Sequence, residues 1–198
     1  SIFFLFDANP KVPHYLEKLI KGNNNIKFYN LAFNDKIEKK IFHLNNFFEA
    51  SGSSFQRIWR DDKKWHFSRR LLLIFINIFN FKKTNKYSEI EINTSTIDDF
   101  FEENKIKKID LLKIDTEGHE EYILKGASKI LKDKKVEIIY TEISDKKEIF
   151  ASKKNRIVNY LKNFNYRMVK EYPIKSVSIL SNLSSSDLLF VKDSNKNL

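Results

Sequence analysis

The chain has 198 residues with 36 basic and 26 acidic side chains, which gives a formal charge of +10, and it contains no cysteine. A hydrophobic fraction of 41% over this length is enough for a buried core and argues against a disordered chain. Without cysteine, a disulfide scaffold, a thiolate metal site and a cysteine nucleophile are excluded. The longest apolar run, 71–81, has 11 residues, is broken by Asn77 and Asn80, and falls short of the ~20 that a membrane helix requires.

The first half of the chain predicts two strands and a helix before the pattern weakens. Residues 2–6 form a short apolar run that ends at Asp7, which is typical of a strand buried on both faces of a parallel sheet. A helix follows, with proline near its start and Gly22 at its end. Residues 26–33 predict a second strand, whereas residues 37–44 alternate too loosely to indicate an edge strand.

The second half alternates strands and helices more regularly. The predicted strands cover 89–94, 109–115, 136–143, 166–172 and 187–191, and the predicted helices cover 95–103, an amphipathic stretch through 123–131, and 156–164. This alternation predicts an α/β fold with helices on both faces of a sheet. Ligands of such sheets bind at the carboxyl ends of the strands, which is where the sequence places Asp7, Asp115, Glu117 and Glu142.

The densest polar group is Asp115–Glu121, between a hydrophobic strand and an amphipathic helix. Asp115 and Glu117 are two residues apart, so an extended backbone directs both carboxylates to one side, and His119 follows. Such a set can supply a general base that takes a proton from a hydroxyl group. Two alternatives remain open from spacing: Thr116 caps the helix while the acids oppose its dipole, or the group binds a metal ion. One histidine among carboxylates is a weak ligand set for a metal.

Four segments of the sequence, together with the closing strand 188–190, carry a family resemblance. Phe6–Pro10 ends a strand with an aromatic residue, an acid, a small residue and proline; Ser51–Phe55 is a serine-rich loop; Ile109–Ala127 contains the acidic group; and Tyr140–Ile143 bears Glu142. In this order they resemble the FkbM-type S-adenosylmethionine-dependent methyltransferases, whose signature block is similar to Ile109–Glu120 and Leu124–Ala127. The resemblance spans most of residues 1–145.

The resemblance implies a Rossmann-like methyltransferase fold, with a mostly parallel sheet and helices on both faces. It implies S-adenosylmethionine as the cofactor. Asp7 would accept hydrogen bonds from the two ribose hydroxyls, because one carboxylate can accept from vicinal donors, and Asn9 is a further cofactor-binding residue. Leu31 and Ala32 fall where such folds place the adenine, and Asp115 also belongs to the implied cofactor site.

The same resemblance implies an O-methyltransferase that acts on a hydroxyl group of a sugar, a glycan precursor or a related small molecule. His119 is the predicted base, Glu117 its orienting partner and Asp115 the third member of the catalytic set. The predicted substrate contacts are Ser53, Ser54 and Glu142. The serine-rich loop also fits a plain turn. No metal is expected. Methyl transfer is an in-line displacement, so the alignment of oxygen, methyl carbon and sulfur contributes much of the rate.

The resemblance is incomplete at the start of the chain. The first strand of the family and its glycine-rich turn would precede Ser1, and the four glycines, at positions 22, 52, 118 and 126, form no GxGxxG motif. We therefore expect residues 1–198 to be a single, truncated methyltransferase domain that binds its cofactor weakly or not at all.

Residues 56–86 form a basic, aromatic insertion that supplies +7 of the +10 charge. One interpretation is a helical lid whose apolar side packs on the domain; the other is contact with an anionic membrane surface or an acidic glycan. A non-catalytic basic module that binds a membrane or a polyanion is the alternative function. No nucleic-acid-reading motif accompanies the charge, so nucleic acid is not an expected partner. The expected location is the cytoplasm, with or without peripheral membrane contact, and the oligomeric state is left open.

Overall fold

A computed structural model describes residues 1–45, 87–174 and 182–193. In chain order the elements of these ranges are β1 (Phe3–Phe6), α1 (Val12–Ile20), β2 (Ile26–Tyr29), β3 (Ala32–Phe33), β4 (Lys39–Asn45), β5 (Tyr87–Ser95), α2 (Ile97–Glu103), β6 (Ile109–Ile114), α3 (Glu120–Lys125), α4 (Ser128–Lys132), β7 (Val136–Lys146), α5 (Lys147–Lys162), β8 (Tyr166–Ile174) and β9 (Leu183–Lys192). The insertion 56–86 and the serine-rich loop lie outside the described residues.

The described strands form three hydrogen-bonded groups. β1 pairs with β2 in parallel, from Phe3 opposite Ile26 to Phe6 opposite Tyr29. β5 lies between β3, to which it is parallel, and β4, to which it is antiparallel. The third group has the order β6-β7-β9-β8. In it β6 and β7 are parallel, whereas β9 runs antiparallel to both β7 and β8.

These sheets are mixed in direction. Among the described strands, three neighbouring pairs are parallel and three are antiparallel. The predicted α/β architecture is therefore confirmed, but the prediction of a mostly parallel sheet is confirmed only in part. For β8 and β9 the physical reason lies in their connection. Parallel neighbours need a long crossover, and the short connection from β8 to β9 allows only antiparallel pairing between them.

Two predicted elements differ in extent from the observed ones. Residues 37–44, whose alternation is loose, overlap with β4 (Lys39–Asn45), which pairs with β5 along its whole length. Cross-strand pairing, which the local pattern does not show, decides this assignment. α5 begins at Lys147 instead of residue 156 and packs against β7, β8 and β9. No helix in the described part of the chain is long and apolar enough to cross a membrane.

The helix predicted through 123–131 is divided into α3 and α4. A Cβ atom at Gly126 would lie 2.1 Å from the backbone oxygen of Asn34, so the chain approaches the loop after β3 too closely for any side chain. The carboxylate of Asp98, on α2, accepts hydrogen bonds from the backbone N–H groups of Lys129 and Ile130 at 2.9 Å each. α4 is thus capped by a residue of another helix, which lets a new helix begin there.

The main core joins α3, α4 and α5 to β7 and β9. Its most deeply buried members include Leu124, Leu131, Ile139, Ile143, Leu161, Leu188 and Phe190. Burial of each such side chain contributes about 1.5–3 kcal/mol. Tyr166 is also buried and donates its hydroxyl to the backbone oxygen of Val136 at 2.7 Å. Burial raises the pKa of Tyr166 to about 12, so its hydroxyl stays a donor.

A second, aromatic cluster attaches β1 and β2 to this core. Ring centroids lie between 4.8 and 6.3 Å apart in contacts among Phe4, Phe6, Tyr29, Phe33 and Phe100. Phe100 belongs to α2, whose Ile97 and Phe101 are part of the main core. α2 therefore connects the strand that ends at Asp7 with the larger sheet.

β1 and β6 are less buried than their apolar sequences predict. Phe3 of β1 is 59% exposed and Leu111 of β6 is 57% exposed. Among the described strands, β1 pairs only with β2 and β6 only with β7, so each leaves one edge open within these ranges. The prediction that β1 is buried on both faces is wrong for this part of the chain, and β6, predicted as a buried strand, is only partly buried.

Candidate active site

The turn between β6 and α3 carries most of the predicted catalytic residues on an unusual backbone. After the buried Ile114, the chain passes through Glu117 at a φ of 53° and Gly118 at a φ of 108°. A left-handed conformation costs a non-glycine residue about 1–2 kcal/mol. The other described non-glycine residues of positive φ all follow the ends of helices, where this conformation is common: Lys105, Lys134 and Asn165. Glu117 lies between a strand and a helix, so contacts around it have to hold the turn.

The side chain of Glu120 holds this turn from the α5 side. Its Oε1 accepts hydrogen bonds from the backbone N–H of Gly118 at 2.8 Å and from the Thr116 hydroxyl at 3.3 Å. Its Oε2 lies 2.9 Å from Nζ of Lys153 on α5, and both side chains are almost completely buried. Asp145 lies 3.9 Å from the same ammonium group. The suggested helix cap at Thr116 is not formed, since α3 begins after His119 and Thr116 instead donates to Glu120.

His119 holds the turn from the opposite side. The residue is 3% exposed, and its Nε2 lies 2.9 Å from Oδ1 of Asn34, which is completely buried. Its ring stacks on Tyr122 with centroids 4.7 Å apart. Burial lowers the pKa of His119 to about 4, and the positive charges of Lys40 and Lys153 act in the same direction, while Glu38 opposes them. His119 is therefore a neutral, interior side chain near neutral pH.

Four carboxylates form what we term the acidic edge, near the carboxyl end of β6 and on β7 and β9: Asp115, Glu117, Glu142 and Asp187. Glu142 and Asp187 occupy paired positions on β7 and β9. Burial raises the pKa of Glu142, and the charges of Asp115, Asp187 and Glu117 raise it further. A hydrogen bond from the Ser185 hydroxyl, at 3.2 Å, has the opposite effect. The acidic edge thus contains a carboxylate that protonates more readily than a solvated one.

Tyr140 adds a hydroxyl group beside the acidic edge. It lies two residues before Glu142 on β7, so both side chains are on the same face of the sheet. Its hydroxyl donates to Oδ2 of Asp187 at 2.7 Å. This hydrogen bond is the main cause that raises the pKa of Tyr140 to about 12, so the group stays protonated. Within the described residues, no group of three or more His, Asp or Glu side chains is arranged to hold a metal ion.

The predicted cofactor residues form a separate group at the end of β1. Oδ1 of Asp7 accepts a hydrogen bond from the backbone N–H of Asn9 at 2.8 Å, and Oδ1 of Asn9 accepts one from Lys11 at 3.0 Å. Asn30 donates from Nδ2 to the backbone oxygens of Asp7 and Asn9, at 2.7 and 3.2 Å. Burial raises the pKa of Asp7, and the hydrogen bond from Asn9 opposes the shift. Burial therefore disfavours the charged form of this carboxylate.

The remaining predicted residues are divided between described and undescribed parts of the chain. Leu31 is half-buried and precedes β3, which begins at the buried Ala32. Ser53 and Ser54 lie outside the described residues. The structure thus brings Asp115, Glu117 and Glu142 into one electrostatic group, places His119 in the interior behind them, and holds Asp7 with Asn9 in a local turn of its own.

Two residues that support the site are absent from the sequence-based predictions. Asn34 occurs in an Asn-Asp-Lys triplet that predicts only a turn, and its partner His119 is 85 residues away. Lys153 lies before the stretch predicted as a helix. A signal for it exists, since Lys153, Ile157 and Leu161 follow at intervals of four residues and share one buried helix face.

Comparison with known proteins identifies the family of the chain. The family model of the methyltransferase FkbM domain matches residues 2–168, which include both strand ends, the turn at Glu117 and most of the acidic edge. The comparison with curated proteins gives no match. The match covers most of the chain, and the chain therefore belongs to the FkbM methyltransferase family.

Proposed function

We propose that this domain is an S-adenosylmethionine-dependent O-methyltransferase whose acceptor is a hydroxyl group of a sugar, a glycan precursor or a related small molecule. The chain belongs to a methyltransferase family, and the observation that carries the proposal is the acidic edge, in which the pKa of Glu142 is raised. The cofactor supplies an electrophilic methyl group on a positively charged sulfur. Carboxylates near the carboxyl ends of the strands favour such a cation electrostatically.

The donor set of the chain fits this cofactor. Asp7 is a half-buried carboxylate whose pKa is raised because burial disfavours its charge. Hydrogen bonds from two vicinal ribose hydroxyls would stabilise that charged form. Asn9 fixes the orientation of the carboxylate through its backbone N–H. The half-buried Leu31 supplies apolar surface at the position proposed for the adenine, next to the buried Ala32.

Glu142 is the proton acceptor that the geometry favours. A general base works best when its pKa lies near the working pH, and the pKa of Glu142 is raised towards that range by burial and by neighbouring carboxylates. In the proposed step, Glu142 would take the hydroxyl proton at a carboxylate oxygen; the acceptor oxygen would take the methyl group as the C–S bond breaks, and the electron pair of that bond would stay on the sulfur of the departing thioether. His119, with its Nε2 at Asn34 and its ring in the interior, is better placed to support the turn. The assignment of His119 as the base stays a prediction, which the same assay tests.

The charge of the acidic edge also bears on the acceptor. Four carboxylates close together repel an acceptor that carries a negative charge near the reacting hydroxyl. We therefore expect neutral sugars to be better acceptors than sugars with a carboxylate, such as uronic acids. Asp115 and Glu117, one on each side of Thr116, are the residues proposed to orient the hydroxyl group.

Cofactor binding is tested by saturation-transfer difference NMR, which detects weak ligands. We expect signals from the ribose and adenine protons of S-adenosylmethionine that S-adenosylhomocysteine displaces. Asp7→Asn should remove most of this signal, and Asp133→Asn, an exposed carboxylate at the end of α4, should leave it unchanged. Absence of a displaceable signal would contradict cofactor binding by residues 1–198, whereas an equal signal in Asp7→Asn would contradict only the role of that residue.

Catalysis is tested with S-adenosylmethionine labelled in its methyl group and a panel of neutral sugars and uronic acids. We expect labelled methyl ethers from the neutral sugars. Glu142→Gln should lower kcat by on the order of 10²–10⁴-fold, the usual contribution of a general base. His119→Gln should have a smaller effect. A larger loss in His119→Gln than in Glu142→Gln would assign the base to His119. Label found on nitrogen would refute the O-methyltransferase, and label found on a carboxylate oxygen would refute the hydroxyl acceptor.

A further inference from the structure

The side chain of Asn34 connects two parts of the molecule that are distant in sequence. Asn34 follows β3 and is completely buried, and its backbone N–H donates to the oxygen of Ser95 at 2.8 Å. On one side its Nδ2 lies 2.7 Å from Oε1 of Glu38. On the other side its Oδ1 lies 2.9 Å from Nε2 of His119. A buried amide between a carboxylate and an imidazole fixes the direction of both hydrogen bonds.

The carboxylate of Glu38 determines how the amide of Asn34 is oriented. An ionised carboxylate only accepts hydrogen bonds, so the NH₂ group of Asn34 has to face it. Lys36 lies 3.0 Å from the other oxygen of Glu38, and this contact lowers the pKa of Glu38 and keeps it ionised. Thr94 accepts a hydrogen bond from the backbone N–H of Glu38 at 3.1 Å and so holds the loop. The amide oxygen of Asn34 therefore faces His119.

This orientation determines the protonation of the histidine ring. A neutral imidazole carries one proton, and an amide oxygen accepts only from a protonated nitrogen, so the proton is on Nε2. The charged groups that act on the ring are Lys40 and Lys153, which disfavour a second proton, and Glu38, which favours one. Together with burial, they leave His119 neutral.

We propose that Asn34 and Glu38 are positioning residues that hold His119 as its neutral Nε2–H tautomer and, through it, fix the turn that carries Glu117. His119 is two residues after Glu117. Glu120, the residue after His119, is held by its buried ion pair with Lys153. The turn is thus fixed at its α3 end by two buried polar contacts. The effect on catalysis rests on the proposed function, whereas the tautomer does not.

The tautomer is measured directly with protein that carries ¹⁵N in its histidine rings. Two-bond ¹H–¹⁵N correlation spectra distinguish the two neutral tautomers, and the signals of His119 are identified by their loss in His119→Gln. At pH 7 we expect a single Nε2–H form. A predominant Nδ1–H form, an average of the two forms or a charged ring would each refute the proposal.

Glu38→Gln is the sharpest variant, because a glutamine side chain both donates and accepts. Asn34 can then turn its amide around, so a second population with the proton on Nδ1 should appear. Asn159→Ala, which changes an exposed asparagine on α5, should give the same spectrum as the native protein. An unchanged single Nε2–H form in Glu38→Gln would refute the role of Glu38. Asn34→Asp serves as a second variant: it should keep the proton on Nε2 but raise the pKa of His119, and no rise would refute the contact.

In the methyl-transfer assay, Glu38→Gln should lower kcat by up to about 10²-fold with little change in the KM for the cofactor, as expected when a reacting group is misplaced. A changed tautomer with unchanged kcat would show that His119 does not position the reacting groups. If no methyl transfer is found in the native protein, the proposed function fails, and the spectra still decide the tautomer.

Discussion

The two turns that follow the parallel strands β1 and β6 both begin with an aspartate, but they are held in different ways. In the turn after β1 the side-chain oxygens accept hydrogen bonds locally, Asp7 from Asn9 and Asn9 from Lys11, and Asn30 adds hydrogen bonds to the backbone oxygens of Asp7 and Asn9. The turn after β6 is held by Asn34 and Lys153, which belong to distant segments. In the first turn Asp7 is half-exposed and Asn9 is buried, whereas His119 and Glu120 of the second turn are both buried.

This difference separates two ways of placing a functional carboxylate. A local turn presents Asp7 in a position that short-range hydrogen bonds define, and it costs little to form. The second turn keeps Glu117 in a left-handed conformation, which costs about 1–2 kcal/mol, and buried partners on both sides offset that cost. Variants in the second turn should therefore affect the whole domain, and variants in the first should act locally.

Removal of Lys153 should give the largest effect. Lys153→Met leaves the buried carboxylate of Glu120 without its cation, and breaking a buried ion pair from one side costs about 3–5 kcal/mol. Urea denaturation measures the loss, and Lys147→Met on the exposed start of α5 is the control. The double variant Glu120→Gln/Lys153→Met should recover part of the loss because no charge is left buried. A loss in Lys153→Met no greater than in the control would contradict the buried pair.

The pH dependence of stability should come next in size. His119 has a folded pKa of about 4 against its ordinary value of 6.5, so between these values the unfolded state binds a proton that the folded state does not. The free energy of unfolding should therefore fall as the pH drops from 6.5 to 4, by about 3 kcal/mol from this residue. Denaturation of the native protein and of His119→Gln across this range measures the difference. Equal pH slopes would contradict the shift, and His14→Gln, at an exposed position, is the control.

A methyl group at Gly126 tests the close approach of Asn34 to the start of α4. Gly126→Ala would place its Cβ 2.1 Å from the backbone oxygen of Asn34, and overpacking of this kind costs about 1–3 kcal/mol. It should also broaden or shift the ring signals of His119, because Asn34 has to move. Gly22→Ala is the matched control: its cost arises from a φ of 84° with open space around it, so the His119 signals should not change. Identical His119 spectra in the two variants would argue against the contact.

Asn30→Ala tests the first turn and should have a smaller effect. It removes the hydrogen bonds to the backbone oxygens of Asp7 and Asn9, and the loss should be about 1 kcal/mol because these groups are partly exposed. The His119 spectrum should stay as in the native protein, while the cofactor signal in saturation-transfer experiments should fall. Asn24→Ala, at an exposed position before β2, is the control. A change at His119 would show that the two turns are coupled.

The contrast between the turns also explains how much the sequence predicts. The acid at the end of each strand, and its place at the carboxyl edge, follow from local apolar runs and from the rule for α/β sheets. The Asp-x-Asn pattern after β1 shapes its turn locally and is visible in the sequence. The convergence of Asp115, Glu117 and Glu142 is likewise expected, since adjacent parallel strands end at the same edge.

The rest of the site depends on contacts that no local pattern contains. The sequence neighbours of Asn34 predict only a turn, but in the structure its side chain is buried and contacts His119. Only the folded chain brings these two residues together. The separation of α3 from α4 results from the backbone of Asn34 and the carboxylate of Asp98, neither of which changes the helical periodicity of 123–131. Contacts between distant segments also place His119 in the interior, although its acidic neighbours in the sequence predict an active site.

Glu142→Gln should have the smallest effect on stability, and in the opposite direction. The pKa of Glu142 is raised in the folded protein, so its charge is disfavoured there relative to the unfolded chain, and the folded state is destabilised above that pKa. Glutamine removes this charge, so the free energy of unfolding should rise slightly at pH 7. The gain should disappear as the pH falls below the ordinary value of 4.5, where the unfolded carboxyl group is also protonated.

Denaturation at pH 7 and pH 4 measures this gain, with Glu148→Gln on the exposed first turn of α5 as the control. A variant that is more stable but transfers methyl groups more slowly would show that the acidic edge is kept for chemistry at a cost in stability. A loss of stability at pH 7 would instead mean that the hydrogen bond from Ser185 outweighs the repulsion from Asp115, Asp187 and Glu117. In that case Glu142 would be an ordinary structural carboxylate, and the base would have to be sought at Asp115, Glu117 or His119.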